Sequence, residues 1–265
     1  MGQKSNLETL RKSKHQLNLI TQNPKEFVYG LKFLEFFNNL LSKKKILVVK
    51  KNLNFESNKL FLNFVLFFQT TKLLNFQTKL VTKTFNSDKL NFSFIYPLIK
   101  NHFYLLNNNF IQVSLTNLNC DINKKLLTIF FNKLRRFSGI LFERRFNLFI
   151  DFIKVSVLFN MNKISSKTFL FLIGRIFRTL PKRKHNIFLI FLKTTFQILI
   201  NKKSILGIRL LINGRLNGKP RSNSASILMG FTPVQSLSKN IEYSKLNVYT
   251  LNGAFGFKLW VYREL

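Results

Sequence analysis

A formal net charge of +33 is the strongest constraint on this chain: 43 lysines and arginines stand against 10 aspartates and glutamates in 265 residues. Self-repulsion of that size opposes a compact state. It becomes tolerable where a polyanion neutralises it, and phosphate backbones do so by exchanging condensed counterions for Lys and Arg. An anionic membrane surface is the competing polyanion. Nucleic acid fits better, because the basic residues spread along the whole chain instead of forming one juxtamembrane block or one helix face. Nor is this a disordered basic tail. The chain is 46% hydrophobic and holds 32 Phe, enough apolar surface for a core.

No stretch reads as membrane-spanning, so no integral insertion is expected. Leu60 to Phe68 is too short to cross a bilayer, and Ile187 to Ile200 is broken by Lys193, Thr194, Thr195 and Gln197. The opening residues Met1 to Asn6 lack the apolar core of a signal peptide. Cys120 stands alone, which excludes an intrachain disulfide and a Cys-based zinc cluster; it reads as a small buried hydrophobe. Only Ala225 and Ala254 are alanines, while Phe, Asn, Lys, Leu and Ile abound. Those five have AT-rich codons. The bias therefore points to an AT-rich genome and to synthesis inside a mitochondrion or a relict plastid.

Two styles of sequence meet near Ser204. Before it run Phe/Leu/Ile/Lys segments almost free of glycine; after it lie six of the ten glycines. Helical spacing predicts a helix over Lys25 to Leu41 and helical structure from Leu126 to Val157, with basic interruptions. Ile46 to Val49 and Phe110 to Leu115 read as strands, and Leu60 to Phe68 as either a strand or a buried helix. Ser165 or Ser166 caps a helix whose face is Phe169, Leu170, Ile173, Phe177 and Leu180, and Pro181 ends it. Lys182-Arg183-Lys184-His185 is a basic link to a well-buried helix over Ile187 to Ile200.

Period-2 alternation follows. Ile208, Leu210 and Ile212 oppose Arg209 and Leu211; Phe255, Phe257, Leu259 and Val261 oppose Gly256, Lys258, Trp260 and Tyr262. Asn213-Gly214, Asn217-Gly218 and Asn252-Gly253 are turn signals. Two helices followed by antiparallel strands predict an α+β domain with helices packed on one sheet face.

Catalytic readings fare badly. The ten carboxylates do not cluster in sequence, and no Walker loop or Gly-x-Ser-x-Gly elbow occurs. His15, His102 and His185 are scattered and read as surface or RNA-facing side chains. No enzyme, metal site or cofactor is expected. Gly253-Ala254-Phe255-Gly256 has the Gly-x-x-Gly spacing of KH loops, but it opens a strand and reads better as a hairpin turn. Basic groups instead interleave with the C-terminal elements: Arg209, Arg215, Lys219, Arg221, Lys239, Lys245 and Lys258. Such groups reach phosphate oxygens, and glycine turns let backbone N–H groups approach them.

The segment Gly207-Ile208-Arg209-Leu210-Leu211-Ile212-Asn213-Gly214-Arg215-Leu216-Asn217-Gly218 resembles a strand and turn of the ribosomal protein S-three family. Asn240-Ile241-Glu242-Tyr243 is similar to that family's Asp-Ile-Asp-Tyr segment, and Thr250 to Val261 to its Thr-x-Tyr-Gly-x-x-Gly-x-Lys-Val-Trp hairpin. Met1-Gly2-Gln3-Lys4 resembles its start. The matches keep the family's order and cover residues 205 to 265 best. The family's Gly-x-x-Gly loop is not found in residues 5 to 160, and Lys219-Pro220-Arg221 keeps a basic group but loses the family's acid.

The resemblance implies a divergent KH type II-like N-terminal domain over residues 1–109. It implies a C-terminal α+β domain over 110–265, with helices on an antiparallel sheet and a lineage-specific insertion around 124–162. By the same resemblance the protein is a structural constituent of the organellar small ribosomal subunit, mitochondrial or alternatively plastid. It sits in the head and lines the entrance for mRNA. Arg209, Arg215, Lys219, Arg221, Lys239 and Lys258 then hold small-subunit rRNA, and Lys182, Arg183 and Lys184 face incoming mRNA. Neighbours are small-subunit proteins ten, fourteen, four and five of the universal set. The rivals are an organelle intron maturase or other basic RNA-binding protein, and a peripheral membrane protein held by charge and Phe.

Overall fold

The computed structural model describes residues 46–56, 59–68, 110–143, 145–201, 204–219, 221–236, 239–251 and 253–263. They fall into two compact units, one within Thr21–Cys120 and the other within residues 121–265. The helix expected over Lys25 to Leu41, His15, His102 and the side chain of Cys120 lie outside the described residues.

The first unit holds a three-stranded mixed sheet. β1 (Ile46–Glu56) pairs antiparallel with β2 (Lys59–Phe68), and β2 pairs parallel with β3 (Phe110–Asn117). The Leu60 to Phe68 run is therefore a strand. Its register with β1 shifts between Val48 and Lys50, one extra residue being accommodated as a bulge. Leu47, Val49 and Phe67 are buried.

The second unit is helices on one face of a sheet. The helical spacing after Leu126 resolves into two helices. α1 (Lys124–Phe142) begins at Asn123, whose side chain accepts from the Lys125 and Leu126 amides at 3.0 and 3.4 Å. Phe130, Leu134, Phe137 and Leu141 form its buried stripe, while Lys133, Arg135 and Arg136 point to solvent. α2 (Phe146–Asn160) is buried on all sides from Phe149 to Asn160 and forms the centre around which α1, α3 and α4 pack.

α3 (Ser166–Thr179) is capped by Ser165, whose hydroxyl accepts from the Thr168 amide, and it stops before Pro181 as expected. Lys182–Lys184 form one 3₁₀ turn, and α4 (His185–Asn201) follows.

The sheet has the order β5-β4-β7-β6, antiparallel throughout: β4 (Gly207–Gly214), β5 (Asn223–Gly230), β6 (Ile241–Thr250) and β7 (Gly253–Tyr262). α3 packs on β6 and β7, and α4 on β5. Ile208, Leu210, Ile212, Phe255, Phe257, Leu259 and Val261 are at most 1% exposed, so the expected alternation holds on both central strands. Phe177 of α3 sits at the join, with ring centroids 4.8 Å from Phe255, 5.3 Å from Phe257 and 5.8 Å from Phe188. Gly253 opens β7 directly after the β6 turn, where the Thr250 hydroxyl donates to the Gly253 carbonyl at 2.9 Å. The Gly253 to Gly256 stretch is thus a hairpin, not a loop between helices.

Candidate nucleic-acid interface

Two basic segments that are far apart in sequence meet at one edge of the C-terminal unit. The Asn217 amide donates to His185 Nδ1 at 3.1 Å, and Asn217 Nδ2 donates to Asn186 Oδ1 at 2.6 Å. These bonds fasten the start of α4 to the turn after β4. In that turn Asn217 and Gly218 have φ of 54° and 73°, a left-handed pair that Asn and Gly tolerate. The Lys182 stem lies over Gly218, so that a methyl there would meet Lys182 Cδ at 3.0 Å. The result is one continuous cationic edge. Lys182, Arg183, Arg215, Lys219 and Arg221 are all exposed on it. Arg215 Nε donates to the Lys219 carbonyl at 2.8 Å, which closes the turn and leaves the other guanidinium nitrogens facing out.

Lys184 behaves differently from its neighbours. Its ammonium bonds the Ile140 carbonyl and pairs with Glu143 at 3.3 Å, tying the 3₁₀ turn to the end of α1. Lys239 also stands apart. It is exposed in the β5–β6 connection, at the opposite end of the sheet from the Arg215–Arg221 turn.

The reading of His185 as a surface or RNA-facing group is corrected. It is 1% exposed, and its ring lies 4.5 Å from that of Phe177 and 5.8 Å from that of Phe255. Since Nδ1 accepts the Asn217 amide, the ring proton sits on Nε2. Burial lowers the His185 pKa from its ordinary value near 6.5. The fold therefore favours neutral imidazole, and the unfolded chain binds more protons below about pH 6.5. Stability is expected to fall as the pH drops through about 6.5. Denaturant midpoints of the whole chain at pH 7.5 and 5.5 measure it, and His185→Gln should flatten that part of the profile. An equal pH dependence in the variant would rule out His185 as the source.

The sheet face turned away from α3 and α4 carries the other predicted cations. Register places Leu228, Arg209, Trp260 and Tyr243 in one row across four strands, and Ser226, Leu211, Lys258 and Lys245 in the next. The Arg209 guanidinium carbon lies 5.4 Å from the Trp260 ring centroid, and the Trp260 and Tyr243 centroids are 5.3 Å apart. Lys245 and Lys258 are exposed.

The four carboxylates with described side chains are all engaged within the fold. Asp121 pairs with Lys163 at 2.9 Å, Glu143 with Lys184, and Asp151 is buried near Lys154. Glu242 Oε2 accepts from the Ser166 amide at 3.2 Å, placing negative charge at the N-terminus of α3. The acid in the Asn240–Tyr243 segment is thus a helix cap supplied from a strand. Arg263 is spent internally as well. It is 5% exposed, stacks on Phe159 at 4.5 Å and donates to Asn162 Oδ1; burial lowers its pKa and nearby Glu242 opposes that shift. Among the described residues no carboxylate is left to offset the cationic edge or this sheet face.

Sequence reasoning missed Trp260 and Tyr243 as part of a candidate surface. The signal was present in their alternation with Lys258 and Lys245. Among the described residues no helix is long and apolar enough to cross a membrane, and no group of three or more His, Cys, Asp or Glu is placed to hold a metal ion.

No family model matches the chain. Small ribosomal subunit protein uS3c of Chara vulgaris is 40% identical over 60 residues, which are 23% of this chain and 27% of that protein. The uS3c protein of Chlorella vulgaris is 37% identical over 62 residues, 23% of this chain and 27% of the relative. Small ribosomal subunit protein uS3 of Phytoplasma mali is 34% identical over 61 residues, 23% of this chain and 25% of the relative. The chain thus spans about a quarter of the length of these curated relatives, a stretch similar in length to the resemblance read over residues 205 to 265. Over this stretch of about 60 residues the chain is similar to the universal small-subunit ribosomal protein S-three family.

Proposed function

We propose that the chain is a structural, non-catalytic component of the small subunit of an organellar ribosome. Its cationic edge grips rRNA in the head of the subunit. The observation that carries this reading is the convergence of Lys182, Arg183, Arg215, Lys219 and Arg221 on one rim, with the described carboxylates each engaged elsewhere: Asp121 by Lys163, Glu143 by Lys184, Asp151 in the core and Glu242 at the start of α3. A phosphate backbone supplies the missing negative charge. Arg215, Lys219 and Arg221 fit rRNA phosphates, held by a turn that Arg215 itself closes. Lys182 and Arg183 fit the mRNA entrance. Lys184 serves this function indirectly, by anchoring their 3₁₀ turn to α1. Arg209 and Lys258 contribute through the sheet face turned away from α3 and α4, and Lys239 at its far end.

Small-subunit proteins ten, fourteen, four and five remain the proposed neighbours. The residue 1–109 domain is proposed as a divergent KH-like RNA-binding unit and 124–162 as an insertion; there α1 and α2 form a Phe-rich buttress under α4, with Phe137 and Phe149 ring centroids 5.5 and 6.5 Å from that of Phe191. The codon bias leaves mitochondrion and relict plastid both open, and the resemblance puts the mitochondrion first. The uS3c relatives support the plastid alternative more directly.

Gradient sedimentation of separated plastid and mitochondrial lysates, probed for this chain, tests the proposal. In moderate salt the chain should travel with small subunits of one organelle. Flotation with lipid, or a position at the top of the gradient in both lysates, would overturn the ribosomal reading.

A further inference from the structure

We propose that the face of the C-terminal sheet turned away from α3 and α4 is a stacking platform for unpaired RNA nucleotides, with Trp260 and Tyr243 receiving bases and Arg209, Lys245 and Lys258 receiving the flanking phosphates. The inference rests on the RNA-binding reading above and names the form of RNA that this face takes.

Three observations converge. First, among the described residues α3 and α4 cover only the other side; on this side Leu228 and Tyr249 are 60% and 70% exposed, and Arg209, Tyr243 and Trp260 are half-buried. Large exposed apolar and aromatic groups on one sheet face mark a contact surface. Second, its charge has one sign. β4, β6 and β7 contribute Arg209, Lys245 and Lys258, while Glu242 of the same sheet points to the opposite side and caps α3. Among the described residues no carboxylate lies on this face, which selects a polyanion over an acidic-and-basic protein surface or an uncharged one.

Third, the aromatics and cations alternate in register. Trp260 lies between Arg209 and Tyr243 in one row, and Lys258 and Lys245 lie side by side in the adjacent row. A row of π-surface next to a row of ammonium groups matches the two faces of a single strand, bases on one side and phosphates on the other. A duplex hides its base faces and would use only the ammonium row. The stacking half of the site would then be idle.

Trp260 is the single tryptophan of the chain, so its emission reports on this surface alone. The whole protein is titrated at low salt with a fluorescein-labelled oligouridylate of about a dozen nucleotides, with an RNA duplex of equal length, and with anionic lipid vesicles. Binding is followed by label anisotropy or vesicle co-sedimentation, and Trp260 emission is read in parallel on unlabelled samples. The oligouridylate is expected to quench Trp260 in step with binding, and the duplex to bind without quenching. Tyr243→Leu keeps the reporter and is expected to weaken single-strand binding about tenfold, leaving duplex binding within about twofold. Trp260→Phe should retain most of the affinity that Trp260→Leu loses.

Oligouridylate bound with Trp260 emission unchanged would overturn the platform while leaving the ribosomal reading intact. Equal quenching by the duplex or by vesicles would also overturn it. Failure of every RNA to bind would instead strike the ribosomal reading itself.

Discussion

Charge reversal at Arg215 and Arg221 is expected to lower affinity for small-subunit rRNA on the order of a hundredfold and to abolish incorporation into the subunit. Both side chains are exposed on the cationic edge. Each hydrogen bond to a charged phosphate contributes about 1.5 kcal/mol or more net, so two lost contacts remove about 3 kcal/mol before repulsion is counted. The slope of log affinity against log salt should shrink by about 2 or more. Arg215 also closes its own turn through Nε and the Lys219 carbonyl, so folding and charge must be separated. Arg215→Lys keeps the cation without the planar fork and should retain most binding. If that variant fails as badly as the reversal, the turn and not the charge is what RNA needs.

Lys182→Glu with Arg183→Glu gives the contrasting case: incorporation nearly normal, mRNA engagement weakened. Filter binding of mRNA to purified variant subunits measures it. Unaltered mRNA binding would remove these two residues from the entrance.

Different parts of this molecule were legible for different physical reasons. A half-buried sheet imposes period 2, so β4 and β7 could be read directly, and Ser165 and Pro181 bracket α3 by local chemistry alone. Leu60 to Phe68 could not be decided, because a short apolar run satisfies a buried strand and a buried helix equally. Its parallel pairing with β3 depends on partners more than forty residues away.

The site shows the same division. Composition pointed to a polyanionic partner, and the turn glycines pointed to the cations around them. The burial of His185 was invisible, since it depends on the Asn217 amide 32 positions later and on rings from α3 and β7. The commitment of Lys184 depends on Glu143, 41 positions earlier. Glu242 likewise caps a helix that starts 76 residues before it. Local chemistry was readable wherever its partners were local.

Substitution of Gly207 by Ala should be among the most destabilising small changes in the C-terminal unit. Gly207 opens β4 opposite Gly230 of β5 and Tyr262 of β7. A Cβ built there would lie 2.0 Å from the Phe231 carbonyl oxygen and 2.5 Å from its carbon, so the obstacle is backbone and cannot rotate away. The corner is closed from the other side too: Gly230 has φ of +67°, a Cβ on it would meet the Leu206 carbonyl at 2.2 Å, and the Phe231 amide donates to that carbonyl at 3.2 Å.

Relieving the clash means separating β4 from β5 at their first pair, with an overpacking cost of about 1–3 kcal/mol or more. The reduced freedom of the unfolded chain returns only about 0.4–1 kcal/mol. Gly139 is the matched control. It lies near the end of α1 with nothing within 4 Å of its Cβ position and no positive φ, so Gly139→Ala should stabilise by about 0.5–1 kcal/mol through helix propensity. Denaturant midpoints of the two variants should therefore move in opposite directions from the parent. A Gly207→Ala midpoint equal to that of the parent would show that the β4–β5 corner is not closed as described.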